Sequence, residues 1–429
     1  MNPFSKTTLI YGTTGPGTCQ QKVFKNVFIN GFTKPGKTDI VSEREKMKDK
    51  QVSTKFLPHS ANLSIQRMNR RNIYQLFRRE RGLTRQDVVN HLRLSLPTVV
   101  QNINKLQDEG YIHEEGSVGY TGGRRAKTYS MVNNARIAIG LDITRDYIIA
   151  VAVDLTGEVI YRNQVWYKFE RSDRYYKYLG TVVNDLVKKN SLDEKRILGV
   201  GLGVPGLVTE DNQTVFYGEI LKFTGATCQE FSKYIPYKSA LLNDANAAGF
   251  GEFWIRENPG SAFYVSLSNN IGGIVIINDR ILTGSHFHSG EIGHLTLYPN
   301  GKPCYCGQKG CVDPYLAATN LSSLSNGKLA DFFQLLEEKN PNAVKIWDTY
   351  LNDLALTLND IQSLFDGKVI LGGYVAEYID KFIPELKKRT TLLNSFEKDA
   401  DYIDICRYKT YSIAAGAALH FISEFIDSI

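Results

Sequence analysis

Three cysteines lie within eight residues of one another, shortly after a histidine, in the segment GEIGHLTLYPNGKPCYCGQKGC that begins at Gly290. Six cysteines in 429 residues are too few for a disulfide framework, and Cys304, Cys306 and Cys311 are too close together to join distant segments. Packing as reduced apolar groups is disfavoured, because Gly, Lys and Gln surround these thiols. Thiolates are preferred ligands of Zn²⁺, so the spacing predicts a metal site.

The fourth ligand of such a site should be a histidine. Zn²⁺ prefers four N or S ligands in a tetrahedron, and a closed set of four is typical of a structural site. His294 is the natural fourth ligand, and His286 and His288 in GSHFHSGE are alternatives nearby in the sequence. We therefore predict one structural Zn²⁺ per chain, which fixes the loop that carries Glu291 and His294 and performs no chemistry itself.

The composition indicates a globular protein of two or three domains. Apolar residues make up 42% of the 429 residues, which is enough for large cores. The sequence has no run of about 18 apolar residues, and its N-terminus lacks the basic start, apolar stretch and cleavage site of a signal peptide. We expect a cytoplasmic protein that does not insert into membranes.

The net charge of +6 is divided unevenly along the chain. Residues 1–130 carry 22 Lys and Arg against 10 Asp and Glu, whereas residues 131–429 carry 29 against 35. This asymmetry predicts that the N-terminal part binds a polyanion, although a solvated basic tail is the simpler alternative. Residues 1–60 are rich in Gly, Thr, Lys and Asn without a sustained period, so we predict a flexible basic arm there.

Residues 61–132 have the pattern of a winged helix-turn-helix domain. SIQRMNRRNIYQLFRRER predicts an amphipathic first helix, and LTRQDVVNHL predicts a short second helix capped by Thr84. The third helix is predicted from Leu96 to Asp108, because Ser95 is a good N-cap and a proline follows in the first turn. YIHEEGSVGYTGGRRAKTYSMV then predicts two strands and a glycine-rich turn, which form the wing.

The third helix is predicted to read base edges in a major groove. Val99, Ile103 and Leu106 share one face, which leaves a short polar row on the other face. A three-helix domain with a hairpin could bind a protein instead of DNA. The predicted DNA contacts are Ser95, Thr98, Gln101, Asn102 and Lys105 on this helix, and Arg124, Arg125 and Lys127 on the wing, at phosphates or a minor groove.

From Arg136 onward, β-rich runs alternate with helical ones. RIAIGLDITRDYIIAVAVDLTGEVIYR, ILGVGLGVPGLV and AFYVSLSNNIGGIVIINDRIL have the composition of buried strands, and the segments between them have helical patterns. Such alternation predicts α/β layers built on mainly parallel sheets. We expect two α/β lobes with a cleft between them.

Five motifs in this part of the chain resemble those of the ROK family, which comprises repressors, open reading frames and sugar kinases. LNDANAAGFGE, GEIGH, CYCGQKGC, VILGGYVAE and SIAAGAALH occur in the family's order and spacing, and the resemblance covers residues 61–429. It implies a two-lobed, actin-like and ribonuclease H-like sugar kinase-type fold with a zinc loop over residues 136–429. The first lobe would span about 136–245 plus the C-terminal helix, and the second about 246–412. The family pattern also favours His294 as the fourth zinc ligand.

The resemblance implies a set of sugar ligands in the cleft. A hexose would be held through its hydroxyls by Asn243, Asp244, Glu291, His294 and Asp313. The family usually has Glu at the position of Asp313, and the shorter side chain leaves the identity of the sugar open. Each of these residues could instead make a structural hydrogen bond.

Two glycine-rich turns that bind ATP in the family's kinases are altered in this sequence. The kinases have D-x-G-G-T-K and G-T-G-I-G-G-G, whereas this chain has DITRDY from Asp142 and SNNIGGI from Ser268. Backbone N–H groups of such turns cradle phosphates, so the changes predict poor ATP binding. We therefore predict that the chain is not an enzyme; the alternative is an active ATP-dependent sugar kinase with an added DNA-binding domain, in which Asp244 is the general base.

The layout is that of the family's repressors, such as those for xylose, N-acetylglucosamine and glucose utilisation. We predict a transcriptional regulator, most simply a repressor of carbohydrate metabolism genes. Its partners would be operator DNA and a monosaccharide or sugar-phosphate effector, and it would form a homodimer or a dimer of dimers. A zinc-stabilised interaction module that binds neither sugar nor DNA is the third interpretation.

Overall fold

The structure is a computed structural model that describes residues 59–118, 125–256, 260–278, 280–286 and 288–429. Residues 59–429 form one compact unit. The predicted flexible arm, up to residue 58, and the wing residue Arg124 lie outside the described residues. Within the described residues, no helix combines the length and the apolar character needed to cross a membrane.

Residues 59–131 form three helices and a three-stranded antiparallel sheet of order β1-β3-β2. The Thr84 hydroxyl accepts a hydrogen bond of 3.1 Å from the Asp87 amide, which caps the second helix. The predicted bounds of the third helix are confirmed, with Ser95 as its N-cap. The elements are α1 (His59–Arg79), β1 (Leu83–Thr84), α2 (Arg85–Leu92), α3 (Leu96–Asp108), β2 (Ile112–Val118) and β3 (Ala126–Met131).

The next part of the chain builds a five-stranded sheet of order β6-β5-β4-β7-β10. Its helix α4 packs beside α5 over one face of the sheet, where the buried side chains of both helices and of the strands form one core. The elements are β4 (Ile137–Ile143), β5 (Tyr147–Asp154), β6 (Val159–Trp166), α4 (Asp173–Lys189), β7 (Ile197–Val204), β8 (Leu207–Val208), β9 (Val215–Tyr217), α5 (Cys228–Ser232) and β10 (Ser239–Asn243).

A second five-stranded sheet repeats this arrangement, with the order β13-β12-β11-β14-β15. The remaining helices cover it, except for α12, which returns to the first sheet and lies against β4 and β7. The elements are α6 (Asp244–Arg256), β11 (Ala262–Leu267), β12 (Ile271–Ile277), β13 (Arg280–Leu282), α7 (Asp313–Leu316), α8 (Ala318–Ser322), α9 (Leu329–Glu337), α10 (Pro341–Phe365), β14 (Lys368–Gly372), α11 (Ile383–Leu393), β15 (Ile403–Ile405) and α12 (Ser412–Ser428).

Both sheets are mixed, which corrects the expectation of mainly parallel sheets. Each sheet pairs its first three strands in an antiparallel way and adds the last two strands in parallel. The physical reason is visible in the connections: residues 144–146 alone join β4 to β5, and so short a link permits only an antiparallel pair. The expected two α/β lobes are present.

Helices α6 and α12 form the layer between the two sheets. α12 contacts both α6 and the first sheet, and α6 also contacts β11 and β12 of the second sheet. The packing is backbone to backbone: a Cβ atom at Gly416 would lie 1.7 Å from the Ala247 carbonyl oxygen, and one at Gly140 would lie 1.8 Å from the Ala414 carbonyl oxygen. Only glycine fits at these two positions, so the helices are held closely against their neighbours.

The winged helix shares a hydrophobic core with α12. Buried residues of α1 and α3 belong to the same apolar cluster as the C-terminal half of α12. The rings of Tyr111 and Phe425 meet edge to face with centroids 5.3 Å apart, and Arg136 lies over both rings. Arg71 of α1 also pairs with Asp427 at 2.5 Å. The winged helix is therefore packed against the two-lobed part by apolar and charged contacts together.

Candidate functional site

The loop after β13 packs directly against the backbone of β12 at Gly290 and Gly293. Gly290 has a φ of +86°, and a Cβ atom there would lie 2.4 Å from the Gly273 carbonyl oxygen. At Gly293 a Cβ atom would lie 2.2 Å from the Ile271 carbonyl oxygen. Two glycines spaced three residues apart thus allow the close approach, and the residues Glu291 and His294 follow them into the space between the lobes.

Four side chains from this loop come together as a potential metal site. The ligand atoms of His294, Cys304, Cys306 and Cys311 all lie within 4.8 Å of one another. The Cys306 and Cys311 sulfurs are 3.8 Å apart, and the Cys304 sulfur lies 3.7 Å from His294 Nδ1. Burial lowers the pKa of His294, which favours the neutral imidazole that a metal requires. These four residues could hold one metal ion.

The two alternative histidines lie outside this cluster. His286 and His288 are exposed, and their ring centroids are 6.4 Å apart. His288 lines the neighbouring cavity, whereas neither residue belongs to the group of possible metal ligands among the described residues. His294, rather than His286 or His288, lies with the three cysteines, and its role as the fourth ligand stays a prediction.

A cavity of 510 Å³ separates the two lobes beside the metal cluster. Its volume suits a small polar ligand. One wall comes from the first lobe and from the start of α6, and the other from the second lobe and the metal loop. The main lining residues are Pro205, Gly206, Phe216, Tyr217, Asn243, Asp244, Ser266, Asn270, His288, Glu291, His294 and Tyr305.

Asn243 and Asp244 stand where β10 ends and α6 begins. Asn243 Oδ1 accepts a hydrogen bond of 2.8 Å from the Asn246 amide, and its Nδ2 donates to the Gly206 carbonyl at 3.1 Å. Asp244 Oδ1 accepts from the Ala245 amide at 2.8 Å. Within the described residues Asp244 Oδ2 has no hydrogen bond. The pKa of Asp244 is raised to about 7, chiefly by burial and also by the Glu291 carboxylate, while the hydrogen bond from the Ala245 amide lowers it.

Glu291, His294 and Tyr305 face Asp244 across the cavity. Burial raises the pKa of Glu291, while nearby His288 lowers it. The Tyr305 hydroxyl lies 3.1 Å from His294 Nε2, so the tyrosine fixes the ring whose Nδ1 faces the cysteines. The cavity therefore offers carboxylate acceptors on both sides, which suit the hydroxyl groups of a sugar.

Asp313 differs from the other predicted sugar ligands. It is buried at the start of α7, and its Oδ1 accepts a hydrogen bond of 2.7 Å from the Ile271 amide. Burial raises its pKa to about 6. It is not among the residues that line the 510 Å³ cavity. The reason is the hydrogen bond to the first residue of β12, which turns the short carboxylate toward the strand.

A smaller cavity of 180 Å³ adjoins the first and shares Pro205, Ile220, Asp244 and Asn270 with it. The segment from Asp142 to Asp146 forms one wall. The Thr144 hydroxyl accepts hydrogen bonds from the amides of Asp146 and Tyr147, at 3.3 and 3.1 Å. These amides are therefore engaged inside the turn and do not point at a ligand.

Asp142 ends in this smaller cavity and is almost fully buried. Its Oδ2 accepts a hydrogen bond of 2.7 Å from the Tyr374 hydroxyl. The pKa of Asp142 is raised to about 7: burial is the main cause, the hydrogen bond from Tyr374 opposes it, and the Asp244 carboxylate adds to it. Two carboxyl groups with raised pKa values, those of Asp142 and Asp244, thus line this cavity.

Asp142 is expected to lower the free energy of unfolding by about 2.5 kcal/mol as the pH rises from 5 to 8. Its pKa is raised from 3.8 to about 7 in the folded chain, so the folded state binds more protons between these values. The contribution of Asp142 to stability is therefore fully present below pH 3.8, and it is lost as the pH rises through about 7. Urea titrations should show a smaller loss in Asp142→Asn and an unchanged loss in Asp185→Asn, on the exposed face of α4. Equal pH dependence in Asp142→Asn would assign the loss to other groups.

The third helix presents most of the predicted DNA-contacting row to solvent. Ser95, Gln101 and Lys105 are exposed, and Thr98 is half-buried with its hydroxyl 2.8 Å from that of Ser95. The prediction that Asn102 contacts DNA is not supported by its position. It is buried, and its Nδ2 donates to the Thr98 carbonyl at 2.8 Å. The short amide turns back to the carbonyl four residues earlier, as asparagine often does within a helix.

The wing carries a partly paired basic surface. Arg125 is exposed, and Lys127 is exposed but donates to the Glu114 carboxylate at 2.7 Å. Arg125 is therefore the described wing residue best placed to meet DNA phosphate.

Several lining residues were missed from the sequence. Tyr305 lies between two ligand cysteines in CYC, so alternation along the loop could have placed it on the cavity side. Phe216 and Tyr217 reach the cavity from the short strand β9. No local pattern in the sequence marks them, because their role depends on the packing of the lobes.

Comparison with known proteins places these features in context. A family model described as ROK family matches residues 138–423, and one described as winged helix-turn-helix DNA-binding matches residues 69–113. A putative xylose repressor of Caldicellulosiruptor sp. strain Rt8B.4 is 24% identical over 348 residues, covering 76% of this chain and 87% of the relative. The xylose repressor of Bacillus subtilis strain 168 is 27% identical over 311 residues, covering 70% and 76%.

Solved structures show the same fold. A ROK family transcriptional regulator described as a homolog of the E. coli MLC protein aligns with a TM-score of 0.65 and 19% identity, over 85% of this chain and 97% of that one. A ROK family glucokinase from Streptomyces griseus, in complex with glucose and AMPPNP, aligns with a TM-score of 0.56 and 20% identity, over 66% and 98%. The expected sugar kinase-type fold behind a winged helix is thus confirmed.

Proposed function

Because the chain belongs to the ROK family and carries a winged helix-turn-helix ahead of the family's domain, we propose that it is a sugar-responsive transcriptional repressor. It binds operator DNA, and a monosaccharide or sugar phosphate in the 510 Å³ cavity changes its affinity for that DNA. As a regulator of genes it works in the cytoplasm. Similarity to xylose repressors supports this proposal over that of a sugar kinase.

The observation that carries the proposal is a continuous physical connection between the cavity and the winged helix. Asp244 lines the cavity as the first residue of α6, and α6 packs closely on α12. The far half of α12 shares its core with α1 and α3. A ligand that shifts α6 therefore acts on the DNA-binding part through packed helices, and it alters DNA affinity by its differential affinity for the two states.

We propose that Asn243, Asp244, Glu291 and His294 bind the sugar, with Asp313 holding the strand beneath it. Asp244 Oδ2 is the principal acceptor, because Oδ1 is used by the Ala245 amide. The metal of the adjoining loop is proposed to be Zn²⁺. A tetrahedral zinc ion with bonds of 2.0 to 2.3 Å requires ligand atoms about 3.6 to 3.8 Å apart. The distances of 3.7 and 3.8 Å in the cluster fit that requirement.

We propose that the chain does not phosphorylate its sugar. The amides of Asp146 and Tyr147, which would have to meet phosphate, donate to the Thr144 hydroxyl instead. Arg145 donates to the Ile220 carbonyl at 3.1 Å across the mouth of the smaller cavity. Phosphoryl transfer needs hydrogen-bond donors that are preorganised around the phosphates. In this turn those backbone amides already donate to the Thr144 hydroxyl.

A screen of monosaccharides and their phosphates tests the sugar-binding part directly. A ligand that binds only the folded state raises the melting temperature, so thermal shift identifies the effector. The effector should then release the protein from a DNA fragment selected out of a random pool, as measured by fluorescence anisotropy. A protein that binds DNA but responds to no sugar in the panel would contradict the proposed regulation.

DNA recognition should separate into base reading and phosphate binding. Gln101→Ala is expected to lower the preference for the selected operator over scrambled DNA roughly tenfold, because it removes a contact to a base edge. Arg125→Ala should weaken binding to both DNAs alike and reduce the salt slope by about one. Gln107→Ala, an exposed glutamine on another side of α3, is the matched control. Unchanged preference in Gln101→Ala would show that α3 does not read bases in this orientation.

We propose that the repressor works as a homodimer or a dimer of dimers. A winged helix on a closed dimer reads two half-sites, so the selected operator should be roughly palindromic.

A further inference from the structure

The two ends of the metal loop are joined to each other by backbone hydrogen bonds. Thr296 and Cys311 form an isolated antiparallel bridge. Beside it, the Tyr298 amide donates to the Gly310 carbonyl at 3.1 Å. This pairing holds the segment that follows His294 against the segment that ends at Cys311. The first and the last of the four potential metal ligands are therefore kept close together.

Tyr298 connects this pairing to the long helix of the second lobe. A Cβ atom at Gly310 would lie 1.8 Å from the Tyr298 carbonyl oxygen, so the two backbones are in direct contact. The Tyr298 hydroxyl donates to Asp353 Oδ1 in α10 at 2.7 Å. The pKa of Tyr298 is raised to about 12, chiefly by this hydrogen bond and also by burial. The phenol therefore stays protonated and remains a donor.

A second tyrosine supports the loop from α7. The Tyr315 hydroxyl accepts a hydrogen bond of 2.8 Å from the Lys302 amide, two residues before Cys304. Lys302 Nζ lies 4.5 Å from the centre of the Tyr315 ring, and this ring meets that of Tyr298 edge to face with centroids 5.0 Å apart. Because α7 packs against α10, both tyrosines connect the loop to the same support.

Asp353 is a carboxylate in apolar surroundings. It exposes 4% of its surface, and its neighbours Leu351 and Leu354 on α10 are also buried. Burial raises the pKa of Asp353, whereas the hydrogen bond from Tyr298 and the charge of Lys302 lower it. Carboxylates are seldom buried to this extent unless a partner compensates for the lost water. The partner in this case comes from the metal loop.

We infer that Asp353 is a positioning residue for the metal loop. Through Tyr298 it holds the loop that carries the metal ligands, and with them the cavity residues Glu291 and His294. A charged acceptor makes a stronger hydrogen bond than a neutral one, which accounts for a carboxylate at this buried position. The inference rests on the proposed metal and sugar sites, and it adds a residue that belongs to neither the ligand cluster nor the cavity lining.

The test measures zinc affinity of the full chain by competition with a chromogenic chelator. Tyr298→Phe removes only the hydroxyl and should weaken zinc binding roughly tenfold, since groups that orient metal ligands commonly change affinity by about 10- to 100-fold. Sugar affinity should fall about threefold as the loop loosens. Asp353→Asn keeps an oxygen that can accept from Tyr298, so its zinc affinity should stay within about threefold of the wild type.

A double variant separates positioning from stability. Tyr298→Phe leaves a buried carboxylate without its donor and should lower the free energy of unfolding, measured by urea titration of the metal-free protein. Tyr298→Phe combined with Asp353→Leu replaces both partners by apolar groups of similar shape. Stability should then return close to that of the wild type, while zinc binding stays roughly tenfold weaker.

Tyr408→Phe is the matched control. The Tyr408 hydroxyl also donates at 2.7 Å, but to the Gly157 carbonyl, so this variant loses an equivalent hydrogen bond outside the metal loop. It should keep the zinc and sugar affinities of the wild type. Zinc affinity that returns together with stability in the double variant would overturn the inference, because the pair would then serve only the fold. Tyr298→Phe that binds zinc as tightly as the wild type would also overturn it. Wild-type protein that binds no zinc would overturn the proposed metal and this inference together.

Discussion

Cys311→Ala is expected to remove the proposed zinc ion and most of the proposed sugar response together. Loss of one of four ligands should weaken zinc binding roughly a hundredfold to a thousandfold, since structural zinc sites draw their affinity from the complete set. The loop would then lose the ion that fixes Glu291 and His294, and sugar affinity should fall at least about tenfold. Elemental analysis after dialysis against a competing chelator measures the metal, and titration calorimetry measures the sugar.

Cys228→Ala is a matched control for this experiment. Cys228 and Cys311 each expose 3% of their surface, so both variants lose one buried sulfur of the same size. Cys228 lies in the core of the first lobe, far from the metal loop in the sequence. The control should keep about one zinc per chain and its sugar affinity. If Cys311→Ala retained the ion as well as Cys228→Ala does, the proposed ligand set would be wrong.

Asp244→Asn is expected to uncouple sugar from DNA. The amide oxygen can still accept from Ala245, so α6 keeps its first turn, but the acceptor Oδ2 is replaced by an amide nitrogen, which donates. Sugar affinity should fall roughly 10- to 100-fold, because the sugar hydroxyl loses its acceptor and meets a donor instead. Operator binding without sugar should stay within about twofold of the wild type, since the winged helix is untouched. Fluorescence anisotropy with increasing sugar gives both quantities.

The same variant decides between repressor and kinase. Wild-type protein with ATP and the effector sugar should release no ADP above background, because the turn after β4 has no free cradle for phosphates. Sugar-dependent ADP release that disappears in Asp244→Asn would establish kinase activity. Asp185→Asn is again the control variant, and it should keep the sugar affinity of the wild type and its release from DNA.

Local features were the ones that the sequence predicted best. Helix α3 begins where its N-cap Ser95 and the proline of its first turn place it, and it ends shortly before Gly110, since these signals act within one turn. The metal cluster followed from the spacing of its cysteines, which lie within a few residues of one another in one loop. Such features depend on neighbours in the chain, so a short window of sequence contains the information.

Features that depend on distant packing were not predicted. Asn102 lies at the edge of the buried stripe of α3, and only its contacts show that it turns inward. Phe216 and Tyr217 become lining residues because the first lobe brings β9 to the metal loop. Arg407 pairs with Glu158, which lies 249 positions earlier in the chain. Sequence periodicity carries no signal for any of these contacts.

The shared core of the winged helix and α12 bears on how such regulators can evolve. Tyr111 and Phe425 belong to opposite ends of the described chain, yet each ring covers the other, with Arg136 across both. Recombination at the short link between Met131 and Arg136 would attach the winged helix of another protein to this α12. The side chains of α12 pack against its own winged helix and would not match those of the new one. New operator specificity in this architecture must therefore arise by point substitution on the outer row of α3, or by simultaneous inheritance of both ends of the gene.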